Sequence, residues 1–246
     1  FTGCSKKAES KVPDKLIVGT NAEFPPFEYM NDKKQPEGFD IAMIKEIGKR
    51  MGKKVEIKNM EFKSLIGAME SDSINAIIAG MTKTEKREKA VDFSDSYYTT
   101  NQAIILKKDS KITKLAQLDG KKIGVQEGTT GDLISSGDKF GDGKKAKVLV
   151  KGAKVKRFKK GVDAVMDLKN GSVDAVVIDE LTANEFVKKN AKKLKIVIDS
   201  AGSEYYCIAL TKGNTAYKEE VNKQIKAIKE DGTYDKLKAK YIDSKN

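Results

Sequence analysis

Between residues 76 and 87 the chain places, in order, a short apolar run, a glycine, two threonines and an arginine. Ala76–Ala79 is β-branched at its centre and predicts an interior strand. Gly80, directly after it, lets the main chain come close to a bound molecule. Thr82 adds a hydroxyl beside that bare backbone. Thr84, with Arg87 three residues on, predicts a helix start whose first turn carries Arg87 back over the strand end, where helix N–H groups also favour an anion. Composition singles Arg87 out: of 48 Lys and Arg residues only Arg50, Arg87 and Arg157 are arginine. In a chain so committed to lysine, an arginine in a polar turn points to the planar fork that grips a carboxylate with two bonds. The stretch reads as a carboxylate receptor.

Other chemistries are narrowed by what the chain lacks. Histidine and tryptophan are absent, which removes the usual general base, the commonest metal ligand and the Ser-His-Asp and Cys-His arrangements. No metal or cofactor is expected. Cys4 and Cys207 lie far apart, and Cys207 sits in the apolar run Tyr205–Leu210, where a buried cysteine acts as a small hydrophobe. The net charge of +12 raises nucleic acid as a partner. The lysines are spread through every segment, though, with no stacking-aromatic motif beside them, so a solvated lysine coat is expected and nucleic-acid binding is not.

The elements that position the receptor follow from periodicity. The 246 residues suffice for one large or two modest domains. Leu16–Thr20 predicts a first strand and Asn21–Tyr29 the loop leaving it, where Pro25-Pro26 forbids helix and displays aromatic rings. Gly38 opens a helix with Phe39, Ala42, Met43, Ile47 and Met51 on one face, closed by Gly52. A strand at Val55–Lys58, a helix at Phe62–Met69 and the strand Ile74–Ala79 complete a first α/β run. After the polar-aromatic stretch Val91–Thr100 and a strand Gln102–Leu106, a second run begins: strand Lys122–Gln126, the turn Gly128-Thr129-Thr130-Gly131, strand Val155–Phe158 and helix Val162–Leu168. A faint repeat links the runs, since Ser73–Gly80 matches Ser172–Asp179 at a constant offset of 99 residues. Gly80 and Asp179 are therefore expected to end equivalent strands and to face one another across a cleft, offering a cation from one side and an anion from the other. Strands alternating with helices imply mainly parallel sheets, which bind ligands beyond the carboxyl ends of their strands. Strands Leu194–Ile198 and Tyr205–Leu210, with the second returning to the first lobe, and a helical stripe through Tyr217, Val221, Ile225 and Ile228 close the chain.

In combination, Gly38-Phe39-Asp40, Ala79-Gly80-Met81-Thr82 with Arg87, Asp92-Phe93-Ser94 before Tyr97-Tyr98, Gly128-Thr129-Thr130-Gly131, Asp179-Glu180 and Asp231-Gly232-Thr233-Tyr234 resemble the periplasmic-type binding proteins of polar amino-acid ABC importers, from Leu16 to Ile242. The resemblance implies an α/β fold of two lobes, each a mixed, mainly parallel sheet with flanking helices, joined by two hinge strands. The lobes are expected at 16–105 with 207–246, and at 106–206. It implies a monomer that traps a free L-amino acid and presents it to an ABC permease, without catalysis. Arg87, with Thr82 and the Gly80 backbone, matches the α-carboxylate site, and Thr129 and Thr130 match its second-lobe half. Asp179 matches the partner of the α-ammonium, Phe24 and Phe62 the aromatic walls, and Asn21 and Gln126 the side-chain contacts. Asn21 departs from the aspartate common in binders of cationic side chains, which leaves Glu23 or Glu28 to supply that charge. A rival on the same scaffold is a cyclohexadienyl dehydratase-like enzyme with Glu127 or Glu180 as general acid. Phe1-Thr2-Gly3-Cys4-Ser5 resembles a lipoprotein processing site, implying a lipid on Cys4, a tether over residues 1–15 and a membrane-anchored, extracytoplasmic protein.

Overall fold

The computed structural model describes residues 10–245; the lipidation expected at Cys4 lies outside them. Eight strands form one sheet: β1 (Lys15–Thr20), β2 (Lys54–Asn59), β3 (Ala76–Ile77), β4 (Val91–Lys107), β5 (Lys122–Gln126), β6 (Lys154–Phe158), β7 (Ala175–Asp179) and β8 (Leu194–Thr211), in the order β6-β5-β7-β4-β8-β3-β1-β2. Three parallel strands stand on each flank, β3-β1-β2 and β6-β5-β7. Between them the antiparallel pair β4 and β8 joins the halves.

The structure departs from the expected strands at that pair, and also at Ile74–Ala79, where only Ala76–Ile77 is paired as a strand. Val91–Thr100 and Gln102–Leu106 are one strand of 17 residues, and Leu194–Ile198 and Tyr205–Leu210 are one of 18. Their burial does not alternate cleanly because each strand leaves the core of one half and enters that of the other. The register slips between Asp199 and Ser203. One side of that slip pairs with β4 next to β7, and the other side lies next to β3.

Eight α-helices cover the sheet among the described residues: α1 (Phe39–Arg50), α2 (Leu65–Glu70), α3 (Glu85–Glu88), α4 (Thr130–Ser135), α5 (Gly161–Asn170), α6 (Glu180–Lys188), α7 (Thr215–Glu230) and α8 (Thr233–Tyr241). The stripe Tyr217, Val221, Ile225 and Ile228 of α7 is buried, as its spacing requires. Of the tether expected over residues 1–15, the described residues from Ser10 onward meet the body of the protein. Asn214 Nδ2 donates to the Lys11 carbonyl at 2.8 Å, and the Ala216 N–H donates to Ser10 Oγ at 3.0 Å, so the chain is tied down at the start of α7 before β1 begins. The lysine-rich excursion after α4 carries a small hairpin, Lys139–Phe140 against Lys147–Val148.

Candidate functional site

The carboxyl end of β3 runs through Ile78 and Ala79 to Gly80, whose φ of +51° only glycine adopts without strain. A Cβ here would also stand 3.3 Å from the rings of Phe24 and Tyr206. Asp40, in the first turn of α1, fixes this turn: its Oδ2 accepts from the Gly80 N–H and from the Tyr97 hydroxyl, both at 2.7 Å.

Thr84 caps α3 by accepting from the Arg87 N–H at 3.2 Å, so the first turn of α3 throws Arg87 back over the strand end. The guanidinium is buried. Nη1 donates to the Thr82 carbonyl at 2.6 Å and Nη2 to the Gly128 carbonyl at 3.0 Å, and its carbon lies 5.3 Å from the centre of the Phe62 ring. Burial pushes its pKa down, against the pull of Glu204 and Asp179.

From the other flank, β7 ends at Asp179. This residue stands at the N-cap position of α6, yet its carboxylate makes no cap. It accepts instead from Gln102 Nε2 at 2.7 Å and from the Tyr206 hydroxyl. Burial and the neighbouring Glu204 raise its pKa well above the usual carboxylate range. Phe24, Phe62, Ala79, Gly80, Arg87, Gln126, Thr129, Thr130 and Asp179 line one cavity between the two flanks. Its residual volume is about 10 Å³, the room of a single water. The cleft is thus closed, and most of its polar groups meet one another, while the buried Gln102 Oε1 meets no donor. Ion pairs cross its rim from Lys63 to Glu127 at 2.9 Å, Lys159 to Glu61 at 2.8 Å and Lys160 to Glu23 at 2.9 Å.

Several expected roles are modified. Thr82 meets Arg87 through its carbonyl, because its hydroxyl donates to Glu204. Thr129 caps α4, accepting from the Asp132 N–H at 3.3 Å, while still lining the cavity. Asn21 stands one bond behind the cavity wall: Gln126 Nε2 donates to its Oδ1 at 2.8 Å, and its Nδ2 donates to the Met60 carbonyl at 2.8 Å. Neither glutamate offered for the side-chain charge enters the cleft. Glu23 is held at the rim by Lys160. Glu28 is fully buried beside Asp40, its carboxylate oxygens meeting no N–H or O–H donor; burial, then Asp40, raises its pKa well above the usual value, which favours its neutral form. Of the two acids named for the enzyme rival, Glu127 pairs with Lys63 and Glu180 accepts from Asn101 Nδ2 at 3.1 Å.

Sequence reasoning missed Gln102, Glu204 and Tyr206. Glu204 Oε2 accepts from Thr130 Oγ1 at 2.7 Å and from the Thr82 hydroxyl, and Oε1 accepts from Gln102 Nε2. The fold shows the reason: Gly202, Glu204 and Tyr206 are buried between the exposed Ala201, Ser203 and Tyr205, an inward strand face that the residue types themselves do not display. A charge on the inward face of a strand calls for a partner.

Residues 16–244 match the family model of bacterial extracellular solute-binding proteins, family 3. The chain is 34% identical over 243 residues to the arginine-binding extracellular protein ArtP of Bacillus subtilis, covering 98% of this chain and 91% of that one. It is 33% identical over 244 residues to a probable histidine-binding protein of Neisseria gonorrhoeae, covering 98% and 88%. Among solved structures, an ancestral arginine-binding protein bound to arginine superposes with a TM-score of 0.82 at 41% identity, covering 94% of this chain and all of that one.

Proposed function

The chain belongs to the bacterial extracellular solute-binding proteins of family 3, and from that premise we propose that it captures a polar or basic L-amino acid, arginine foremost, between two lobes and hands it to an ABC importer. The observation that carries this reading is one cavity lined by Arg87 and Gly80 from one flank and by Asp179 and Thr130 from the other. Residues 16–105 with 207–246 form the first lobe and 106–206 the second, with β4 and β8 as the hinge.

An amino acid is a zwitterion, and burying both charges is tolerable only where each meets a fixed opposite partner with its hydrogen bonds complete. Arg87, with Thr82 and Thr130, takes the α-carboxylate; Asp179 takes the α-ammonium. The side chain runs between Phe24 and Phe62 toward the amides of Gln126 and, behind it, Asn21. The relatives that bind arginine and histidine support a cationic or long polar side chain. Both poles are held only when the lobes are together, so the ligand shifts the hinge equilibrium toward closure by its differential affinity. The closed form is the one the permease reads. No chemistry follows binding, and the protein works outside the cytoplasm as a monomer, held at the membrane through Cys4. No helix among the described residues is long and apolar enough to cross a membrane.

A thermal-shift screen of the twenty amino acids with ornithine and citrulline tests the reading, since a bound ligand raises apparent stability by mass action. Arginine, lysine, histidine or glutamine should give the largest shift, and recovered ligand should be unchanged. No shift with any of them would overturn it.

A further inference from the structure

The Thr82 and Thr130 hydroxyls, one from each flank of the sheet, converge on a single protein atom. Glu204 Oε2 accepts from both of them, and Gln102 Nε2 donates to its other oxygen. Each hydroxyl has one proton, so while it donates to Glu204 it has none for a second carboxylate. These are the two hydroxyls that the function proposed above assigns to the ligand's α-carboxylate.

Glu204 also has somewhere to go. Thr82, Ser94, Ser203, Glu204 and Tyr205 line a groove of about 930 Å³ that shares no lining residue with the cavity. The register slip of β8 at Asp199 and Ser203 ends immediately before Glu204, and two more follow between Tyr206 and Ala209, so its backbone sits in the irregular part of the long strand pair. A carboxylate swung into that groove would be solvated, and its place against Thr82 and Thr130 would be free.

We propose that Glu204 is an internal competitor for the carboxylate subsite: its side chain holds Thr82 and Thr130 together across the closed cleft, and an incoming amino acid must displace it into the groove before its own carboxylate takes the two hydroxyls. The inference rests on the assignment of those hydroxyls to the ligand. It adds a contact that closes the cleft without a ligand and lowers apparent affinity by the fraction of molecules in which Glu204 occupies the subsite. If that fraction is nine-tenths, the loss is about tenfold. Glu204 is then a positioning residue for the lobes, and no part of it stays on the ligand.

Calorimetric titration of the wild type, Glu204→Ala and Glu204→Gln with whichever of arginine, lysine, histidine and glutamine binds best provides the test. Small-angle scattering before and after that ligand is added follows the lobes. Competition predicts about tenfold tighter binding for Glu204→Ala, an intermediate gain for Glu204→Gln, which keeps one weaker neutral acceptor, and a larger radius of gyration for both variants before ligand is added. Binding unchanged or weakened in both variants, with the ligand-bound radius preserved, would overturn it, because a residue that merely orients the hydroxyls for the ligand gives that result. A wild type that binds none of the four amino acids would instead refute the functional assignment, so the two failures are distinguishable. Unfolding midpoints of both variants show that they fold, and Glu204→Gln, nearly the same shape, stands in should the alanine variant fail.

Discussion

Arg87 and Gly128, 41 residues apart, meet across the closed cleft: Arg87 Nη2 donates to the Gly128 carbonyl at 3.0 Å while Nη1 donates to the Thr82 carbonyl at 2.6 Å. The arginine therefore ties its own turn to the α4 turn of the other flank. The two nitrogens belong to one rigid planar fork, which a lysine ammonium on a flexible stem does not reproduce.

Replacing that fork should cost more than a charge count suggests. Arg87→Ala is expected to weaken binding of the best amino acid by about 2–3 kcal/mol, since the carboxylate then faces a desolvated site without its cation. Arg87→Lys should recover only part of this. Calorimetry on both variants checks the order, and equal affinities for wild type and Arg87→Ala would remove Arg87 from the site.

Asn21 offers a test of side-chain selection. Its Oδ1 accepts from Gln126, which lines the cavity, so Asn21→Asp keeps that acceptor and brings a negative charge to the end of the site. The preference for arginine over glutamine should rise about tenfold, a difference of about 1.4 kcal/mol. Competition between the two amino acids measures it directly. A ratio that does not move would mean that the ligand side chain ends elsewhere.

Glu28 makes stability depend on pH in a stated direction. Its folded pKa lies above the ordinary glutamate value of about 4.3, raised by burial and then by Asp40. The folded chain thus keeps a proton that the unfolded chain gives up, and this group's contribution is complete below pH 4 and fades as pH climbs through its raised folded value. Asp40, Asp179 and Tyr97 are the titratable groups around it. Glu28→Gln has no such proton to lose. Melting curves from pH 5 to pH 8 should show the variant gaining on the wild type as pH rises, and a gap that stays constant would refute the protonated form.

The rim pairs contribute less than their number implies. Lys63, Lys159 and Lys160 keep 42, 70 and 50% of their side chains exposed, and exposed pairs contribute little because water and salt screen them. Replacing all three lysines with alanine should weaken amino-acid binding far less than Arg87→Ala does, and added salt should reproduce most of that loss in the wild type. Titrations at low and high ionic strength decide it.

Residue types alone carried much of the outcome. A β-branched run, a glycine with positive φ, a Thr cap and a rare arginine specify a strand, a turn and a helix start within 12 residues, because each is a local steric or hydrogen-bonding requirement; the equivalent strand 99 residues on marked Asp179. What the folded chain decided is long-range. Whether Val91–Lys107 is one strand or two depends on which neighbours cover it. That Thr82 turns its hydroxyl to Glu204 and its carbonyl to Arg87 depends on a partner 122 residues away. The pKa of Glu28 is raised because the fold removes water from it and sets Asp40 beside it, and burial of that kind is a property of the assembled molecule rather than of any stretch of sequence.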